Sequence, residues 1–270
     1  MRITVCQLDN RPGHRDDALA ALADHVAGAG SELVVLPELP FSDWLAADAA
    51  VDPARWQSSV EEHDAAVERL GRLGAAAVIA SRPIVGSTGS RRNQAFVWTP
   101  AAGATGIREK HYLPDEPGFW EATWYDPGDL SFDLCHAGEA RAGVQLCTEL
   151  WFLEWARHYG REGAEVLCLP RATPYESLDK WLAGGRTAAV CSGAYSVSSN
   201  QWSPGGSGLD CGGLGWVIDP DGTVLATTGP DEPFVTVDAD LTVARTAKTT
   251  YPRYVREQPE RGSAEEPFRP

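Results

Sequence analysis

Along the chain the spacing of apolar positions changes period several times. Ile3 and Val5, in a stretch that reaches Leu8, alternate as a strand does, and residues 15–29 follow as an alanine-rich helix ending near Gly28 and Gly30. Residues 32–37 (ELVVLP) are a short continuous apolar run bounded by Gly and Pro, the pattern of a strand buried on both faces. Residues 58–73 read as the next helix and 75–81 as the next strand. Residues 93–99 and 106–110, joined by a turn at 100–103, read as an antiparallel hairpin. Residues 112–128, rich in Pro, Gly and aromatics, keep neither period, and so long a loop is a candidate carrier of function. Beyond it, strands are expected at 140–147, 165–169, 195–199, 215–218, 224–228 and 234–237, with helices at 151–162 and 178–192 and a tight turn at 219–222. After Thr242 the composition turns polar and Pro-rich, which divides the chain into a domain of residues 1–242 and a tail, 243–270, packing on the domain or on a partner subunit.

The run at 30–37 (GSELVVLP) aligns without gaps on 163–170 (GAEVLCLP), and each copy follows a helix. The chain therefore reads as two similar α/β halves, each supplying a buried strand that ends at Leu-Pro. Glu38 follows the first copy and Arg171 the second. Under a pseudo-two-fold relation, the two charged groups leave matching ends of central strands, where open α/β sheets place their ligands.

Composition narrows the function classes. The 270 residues carry 23 Lys+Arg against 38 Asp+Glu, a net charge of −15, with no basic run to offset it. Such a surface repels a phosphate backbone and an anionic membrane, so neither nucleic acid nor membrane is an expected partner. No apolar run approaches the ~20 residues of a membrane helix, and the N-terminus passes straight into a strand pattern without an apolar signal region. A cytoplasmic enzyme or binding protein is the expectation. Cysteines at 6, 135, 147, 168, 191 and 211 form no CxxC pair, and Cys135-His136 alone cannot fill a tetrahedral site. Reduced thiols, rather than a disulfide scaffold or a zinc site, follow from that spacing, and no cofactor is expected.

Three positions stand out as candidate chemistry. Glu38 sits directly after a buried strand, where a charge is costly without a partner or a task. Lys110, one of only three lysines, closes a strand and opens the long loop. Cys147 ends a strand just ahead of a helix, where backbone N–H groups and the helix dipole favour a thiolate. Each has a structural alternative: a packed core thiol for Cys147, surface ion pairs for Glu38 and Lys110.

The segments 36–41 (LPELPF), 110–115 (KHYLPD) running to 118–121 (GFWE), and 147–154 (CTELWFLE) resemble, in the same order, the motifs of the nitrilase superfamily of carbon-nitrogen hydrolases. The loop after Lys110 and the Trp151-Phe152-x-Glu154 tail are most similar to the N-carbamoyl amine amidohydrolase branch. Weaker similarity at 163–170, 198–200 and 215–222 extends the resemblance to about residue 240. It implies a four-layer α-β-β-α sandwich of two pseudo-symmetric halves, a homodimer or higher homo-oligomer, and a Glu-Lys-Cys site without a metal. Carried over by position, it implies Cys147 as nucleophile, Glu38 as general base, Lys110 as the cation that steadies the oxyanion, and Glu121 as a second glutamate. The backbone N–H of Thr148 completes the oxyanion site.

Other residues bear on the substrate. Arg171 stands where relatives often carry a small or neutral residue; it either anchors a substrate carboxylate or carbonyl, or pairs with Glu149, Glu176 or the tail. Glu149 either attracts an amine or caps the following helix. Gly215 stands where some relatives carry a polar residue, and residues 205–213 form a glycine-rich loop expected near the site. Trp44, Trp120, Trp124, Trp151 and Trp202 are expected to border the pocket as an aromatic wall. The leading expectation is hydrolysis of a carboxamide or N-carbamoyl group on a small molecule, through a thioester on Cys147. Acyl transfer to an amine, nitrile hydrolysis and a silent binding member are the alternatives.

Overall fold

The computed structural model describes residues 1–205 and 209–255. The first half runs β1 (Arg2–Asp9), α1 (Arg15–Ala29), β2 (Leu33–Val35), α2 (Pro53–Val67), β3 (Ala77–Val85), β4 (Arg91–Thr99) and β5 (Gly103–Glu109). The long loop carries β6 (Asp115–Glu116), β7 (Phe119–Trp120) and α3 (Glu121–Trp124). The second half runs β8 (Cys135–Ala137), β9 (Ala140–Val144), α4 (Leu153–Arg161), β10 (Val166–Arg171), α5 (Leu178–Ser192), β11 (Tyr195–Trp202), β12 (Trp216–Ile218), β13 (Val224–Thr227), β14 (Phe234–Asp238) and α6 (Leu241–Ala247).

One sheet has the order β5-β4-β3-β2-β1 with β14 on the far side of β1; the other runs β8-β9-β10-β11-β12-β13. They join where the end of β1 pairs with β11 in parallel, from Gln7 opposite Asn200 to Asp9 opposite Trp202. The apolar runs that predicted doubly buried strands explain the layering. Leu33 and Val35 with Val166 and Cys168 face the core between the sheets. Val34 and Leu36 turn outward onto Leu22 and Val26 of α1. Leu167 and Leu169 turn outward onto the side of α4 and α5, with Ala156, Tyr159 and Ala188. Helix, sheet, sheet, helix is the expected four-layer sandwich.

The internal repeat is visible in hydrogen bonds. The Glu32 and Glu165 amides each donate to the carbonyl of an arginine, Arg2 and Arg141, at 2.8 Å. Their carboxylates accept from the amides of those arginines at 2.8 and 2.9 Å. The Gly-x-Glu start of each buried strand thus anchors to the neighbouring strand in the same way in both halves.

Several boundaries differ from the sequence expectation; β3 runs on to Val85 and β11 to Trp202, while β9 stops at Val144. The second helix begins at Pro53, because Asp52 caps it by accepting from Ala54 N at 2.8 Å, and it ends at Val67 ahead of a short 3-10 turn. The helix after Cys147 begins only at Leu153, since Cys147–Trp151 coils as a 3-10 turn. The short strand β8 has no counterpart in the predicted pattern. The expected tail opens as α6, which buries Leu241, Ala244 and Ala247; its remainder from residue 256 lies outside the described residues.

Candidate active site

Glu38 leaves β2 through a stretch whose backbone is held on every side. Its amide donates to Arg171 O at 3.2 Å, so the two residues expected to lie opposite each other do meet. Gln201 Nε2 donates to Glu38 O at 2.7 Å and to Leu39 O at 3.2 Å, and Leu39 N donates to Ser81 Oγ at 3.0 Å. Leu39 has φ 46°, a left-handed conformation that a branched side chain adopts only where its surroundings impose it.

Lys110 follows β5, with its amide on Asn93 O and its carbonyl on Gly128 N, both at 2.8 Å. Its ammonium sits between two carboxylates: Nζ is 2.8 Å from Glu38 Oε1, and 2.9 and 2.6 Å from Glu121 Oε1 and Oε2. Asn93 Nδ2 donates to the same Glu38 oxygen at 2.8 Å. Lys110, Glu38 and Glu121 are fully buried. Burial works against the ammonium, but Glu121 and Glu38 outweigh it and raise its pKa. Burial, reinforced by Glu38, raises Glu121 above the ordinary carboxylate range against the pull of Lys110. Glu38 Oε2 is buried without a hydrogen-bond partner.

Cys147 takes φ 47° at the head of its 3-10 turn, with Sγ 4.0 Å from Ala172 O and only 3% of the residue exposed. Its thiol lies in electrostatic reach of Glu38, Lys110 and Glu121. Burial and then Glu38 raise its pKa, and Lys110 only partly offsets them. The adjoining element is a 3-10 turn, Cys147–Trp151, rather than the α-helix expected there. Thr148 stands in the first turn, where amide N–H groups have no partner within the turn.

Glu149 neither reaches outward nor caps the next helix. Fully buried, it holds the Arg108 guanidinium with both oxygens and accepts from His111 N at 2.9 Å and Leu146 N at 2.8 Å, capping its own turn. Arg171 pairs with neither Glu149 nor Glu176. Its guanidinium donates to Ser198 Oγ at 2.7 Å, Thr173 Oγ1 at 2.9 Å and Leu214 O at 2.6 Å, and lies 4.0 Å over the Trp216 ring. These internal acceptors satisfy a fully buried cation without a carboxylate.

The five tryptophans divide. Trp44, Trp120 and Trp124 pack with Leu39 and Ala172, the neighbours of Glu38 and Arg171, in one apolar cluster. Trp151 instead lies 37% exposed against Trp181, and Trp202 lies half-buried under the Arg11 guanidinium. Neither belongs to that cluster. Gly215 leaves no space for a polar side chain, because a Cβ there would stand 2.9 Å from Ser198 O. Of the glycine-rich loop, residues 206–208 lie outside the described residues.

Sequence reading missed Asn93, Gln201, Arg108 and Tyr125. The first two hold Glu38, the third holds Glu149, and Tyr125 lies with its hydroxyl buried and unpartnered in the field of Glu121 and Glu38. None belongs to a recognised motif; register alone brings them in. Among the described residues no group of three His, Cys, Asp or Glu side chains forms a metal site, and no helix is long and apolar enough to cross a membrane.

The two-sheet α/β sandwich thus buries a Glu-Lys-Glu cluster in electrostatic reach of Cys147. A carbon-nitrogen hydrolase family model matches residues 2–250, and the chain belongs to that family. Among proteins of assigned function, it is 31% identical over 146 residues to the N-carbamoylputrescine amidase of Solanum tuberosum, a match covering 49% of each chain. It is 29% identical over 231 residues to the glutamine-dependent NAD(+) synthetase of Rhodobacter capsulatus, covering 83% of this chain and 40% of the relative. The match thus spans about half the length of the amidase. The fold is that of a carbon-nitrogen hydrolase from Helicobacter pylori G27, with TM-score 0.81, 22% identity and 94% of each chain covered. It is likewise that of an amidase from Nesterenkonia sp. AN1 carrying an acrylamide adduct at its active-site cysteine, with TM-score 0.75, 22% identity, and 91% and 95% of the two chains covered.

Proposed function

We propose that the protein is a thiol hydrolase of a linear, non-peptide C–N bond, a carboxamide or N-carbamoyl group on a small molecule. The observation that carries this reading is the buried Lys110 ammonium clasped by Glu38 and Glu121, with Glu38 Oε2 left free in electrostatic reach of the Cys147 thiol.

In this mechanism Cys147 Sγ attacks the carbonyl carbon as Glu38 Oε2 takes the thiol proton, so no resting thiolate is needed. The carbonyl oxygen becomes an oxyanion facing Lys110 Nζ and the Thr148 amide; one such donor is worth roughly 3 to 4 kcal/mol. Collapse breaks the C–N bond, and Glu38 returns the proton to the departing nitrogen, giving ammonia or an amine and a thioester on Cys147. Water then attacks the thioester and gives its proton to Glu38. The acid leaves, and the thiolate recovers the proton. Glu121 fixes the Lys110 ammonium through both cycles.

The likeness to N-carbamoylputrescine amidases supports the substrate class, and a Cys147 residue only 3% exposed suits a small molecule. The test is ammonia release from a panel of amides and N-carbamoyl amines, by wild type and Cys147→Ala. Release by wild type alone supports the reading. Equal release by both sinks it.

A further inference from the structure

Buried polar side-chain atoms without a partner are uncommon in folded proteins, and each one calls for an explanation. Among the described residues four are found: Glu38 Oε2, Asn93 Oδ1, Tyr125 Oη and Gln145 Oε1. Three of them meet at one cluster, since Asn93 is bonded to Glu38 and Tyr125 lies in the field of Glu121 and Glu38, whereas the Gln145 amide bonds Glu149 O at 2.8 Å. Gln145 stands two residues before Cys147, and Tyr125 follows α3, with its amide on Glu121 O at 2.8 Å. Asp126 exchanges hydrogen bonds with Arg91 at 2.8 and 2.9 Å, which sets Tyr125 against the start of β4, two residues from Asn93.

Tyr125 is not a mobile surface group that has strayed inward. The residue is 3% exposed, its ring meets Trp56 edge-on at 5.6 Å, and it packs in the cluster that contains Leu39, Trp44 and Ala172. Burial, then the Glu121 and Glu38 carboxylates, push its phenol well above the ordinary value, so it remains a neutral O–H. A ring alone would fill this space as phenylalanine does. The hydroxyl adds only a desolvated polar atom, which costs stability unless something arrives to bond it.

We infer that the Tyr125 hydroxyl is a substrate-contacting group: it hydrogen-bonds the amide nitrogen that occupies the site beside Glu38 Oε2 and, after that nitrogen leaves, the water that replaces it. This rests on the hydrolase reading above. The orphaned atoms match such an occupant, since Glu38 Oε2 and Asn93 Oδ1 accept the two N–H bonds of an unsubstituted amide, and the phenol can both donate and accept. No covalent step is assigned to Tyr125; it orients the nitrogen toward the Glu38 proton and the water toward the thioester.

The test is Tyr125→Phe, assayed for ammonia release from propionamide and N-carbamoylputrescine alongside its thermal unfolding midpoint. The expected result is a fall in kcat of about tenfold or more with an unfolding midpoint equal to or above that of wild type. A second reading that does not depend on turnover uses Cys147→Ala with and without Tyr125→Phe: the rise in midpoint on adding propionamide should shrink when the hydroxyl is removed. Wild-type kcat in Tyr125→Phe, an unchanged ligand shift, or a loss of activity that merely follows a fall in midpoint each overturn the inference. If wild type itself releases no ammonia from any amide, the hydrolase reading fails instead.

Discussion

The Glu149 carboxylate holds the Arg108 guanidinium across the gap between β5 and the turn that carries Cys147, and both residues are buried. Arg108 lies two residues before Lys110, and Glu149 two after Cys147, so this one ion pair ties the segment of Lys110 to that of Cys147. His111 N, on the other side of Lys110, donates to the same carboxylate at 2.9 Å.

Breaking that pair should be severe. Glu149→Ala strands the Arg108 charge in the interior and is expected to cost roughly 3 to 5 kcal/mol in urea unfolding. The double variant Arg108→Met with Glu149→Leu should recover most of that stability, yet release ammonia far more slowly than wild type, because the segments of Lys110 and Cys147 lose their shared anchor. Recovery of both properties together would show the pair to be structural filler.

Lys110→Met leaves Glu38 and Glu121 facing each other in the core. Burial already raises Glu121 above the ordinary carboxylate range, and without Lys110 nothing opposes that rise, so the folded state holds a proton that the unfolded state has released. The sign follows: stability is present at low pH and is lost as pH rises through the raised folded value. Lys110→Met is therefore expected to unfold at higher urea concentration at pH 5 than at pH 8. Equal midpoints would contradict the electrostatic picture of the cluster.

His63 works in the opposite direction. Burial lowers its pKa from the ordinary 6.5 to about 4, and its ring keeps a neutral tautomer, with Nδ1 donating to Ser59 O at 2.7 Å and Nε2 accepting from Phe41 N at 3.4 Å. Between those two values the unfolded chain takes up a proton that the folded chain refuses. Stability should fall by up to about 3 kcal/mol as pH drops through this window. In His63→Gln the acid slope should be correspondingly shallower, measured by urea titrations at several pH values.

Arg171→Met is expected to cost about 3 kcal/mol, as three hydrogen bonds from a charged group are lost and their acceptors are left buried. Arg171→Lys should not rescue it, since one ammonium cannot span Ser198, Thr173 and Leu214 while lying on Trp216. The ratio of rates on acidic and neutral amides should stay as in wild type. A collapse of the rate on acidic amides alone would make Arg171 a substrate anchor.

What could be read from the sequence divides along a physical line. Leu33 to Leu36 and Val166 to Leu169 announce doubly buried strands because burial on both faces leaves a local mark, an unbroken apolar run. Glu38, Lys110, Glu121 and Cys147 could be picked out because each sits at the end of an element inside a recognisable motif. The role of Glu149 could not, since its partner Arg108 is 41 residues away and meets it only through tertiary packing. The 3-10 turn after Cys147 left no mark either, since a strand-to-helix pattern reads the same whether the chain coils as a 3-10 turn or an α-helix before Leu153. Tyr125 and Asn93 leave no local signal, because an orphaned hydroxyl or amide exists only once the surrounding chain has excluded water.

The central claim is that Cys147 carries the acyl group while Glu38 moves the proton. Intact-protein mass spectrometry on rapidly quenched mixtures with propionamide, followed by peptide mapping, tests it most directly. The account predicts an added acyl mass confined to the peptide containing Cys147, absent in Cys147→Ala and formed far more slowly in Glu38→Gln. An adduct on another residue, or ammonia released at the wild-type rate by Cys147→Ala, would contradict it.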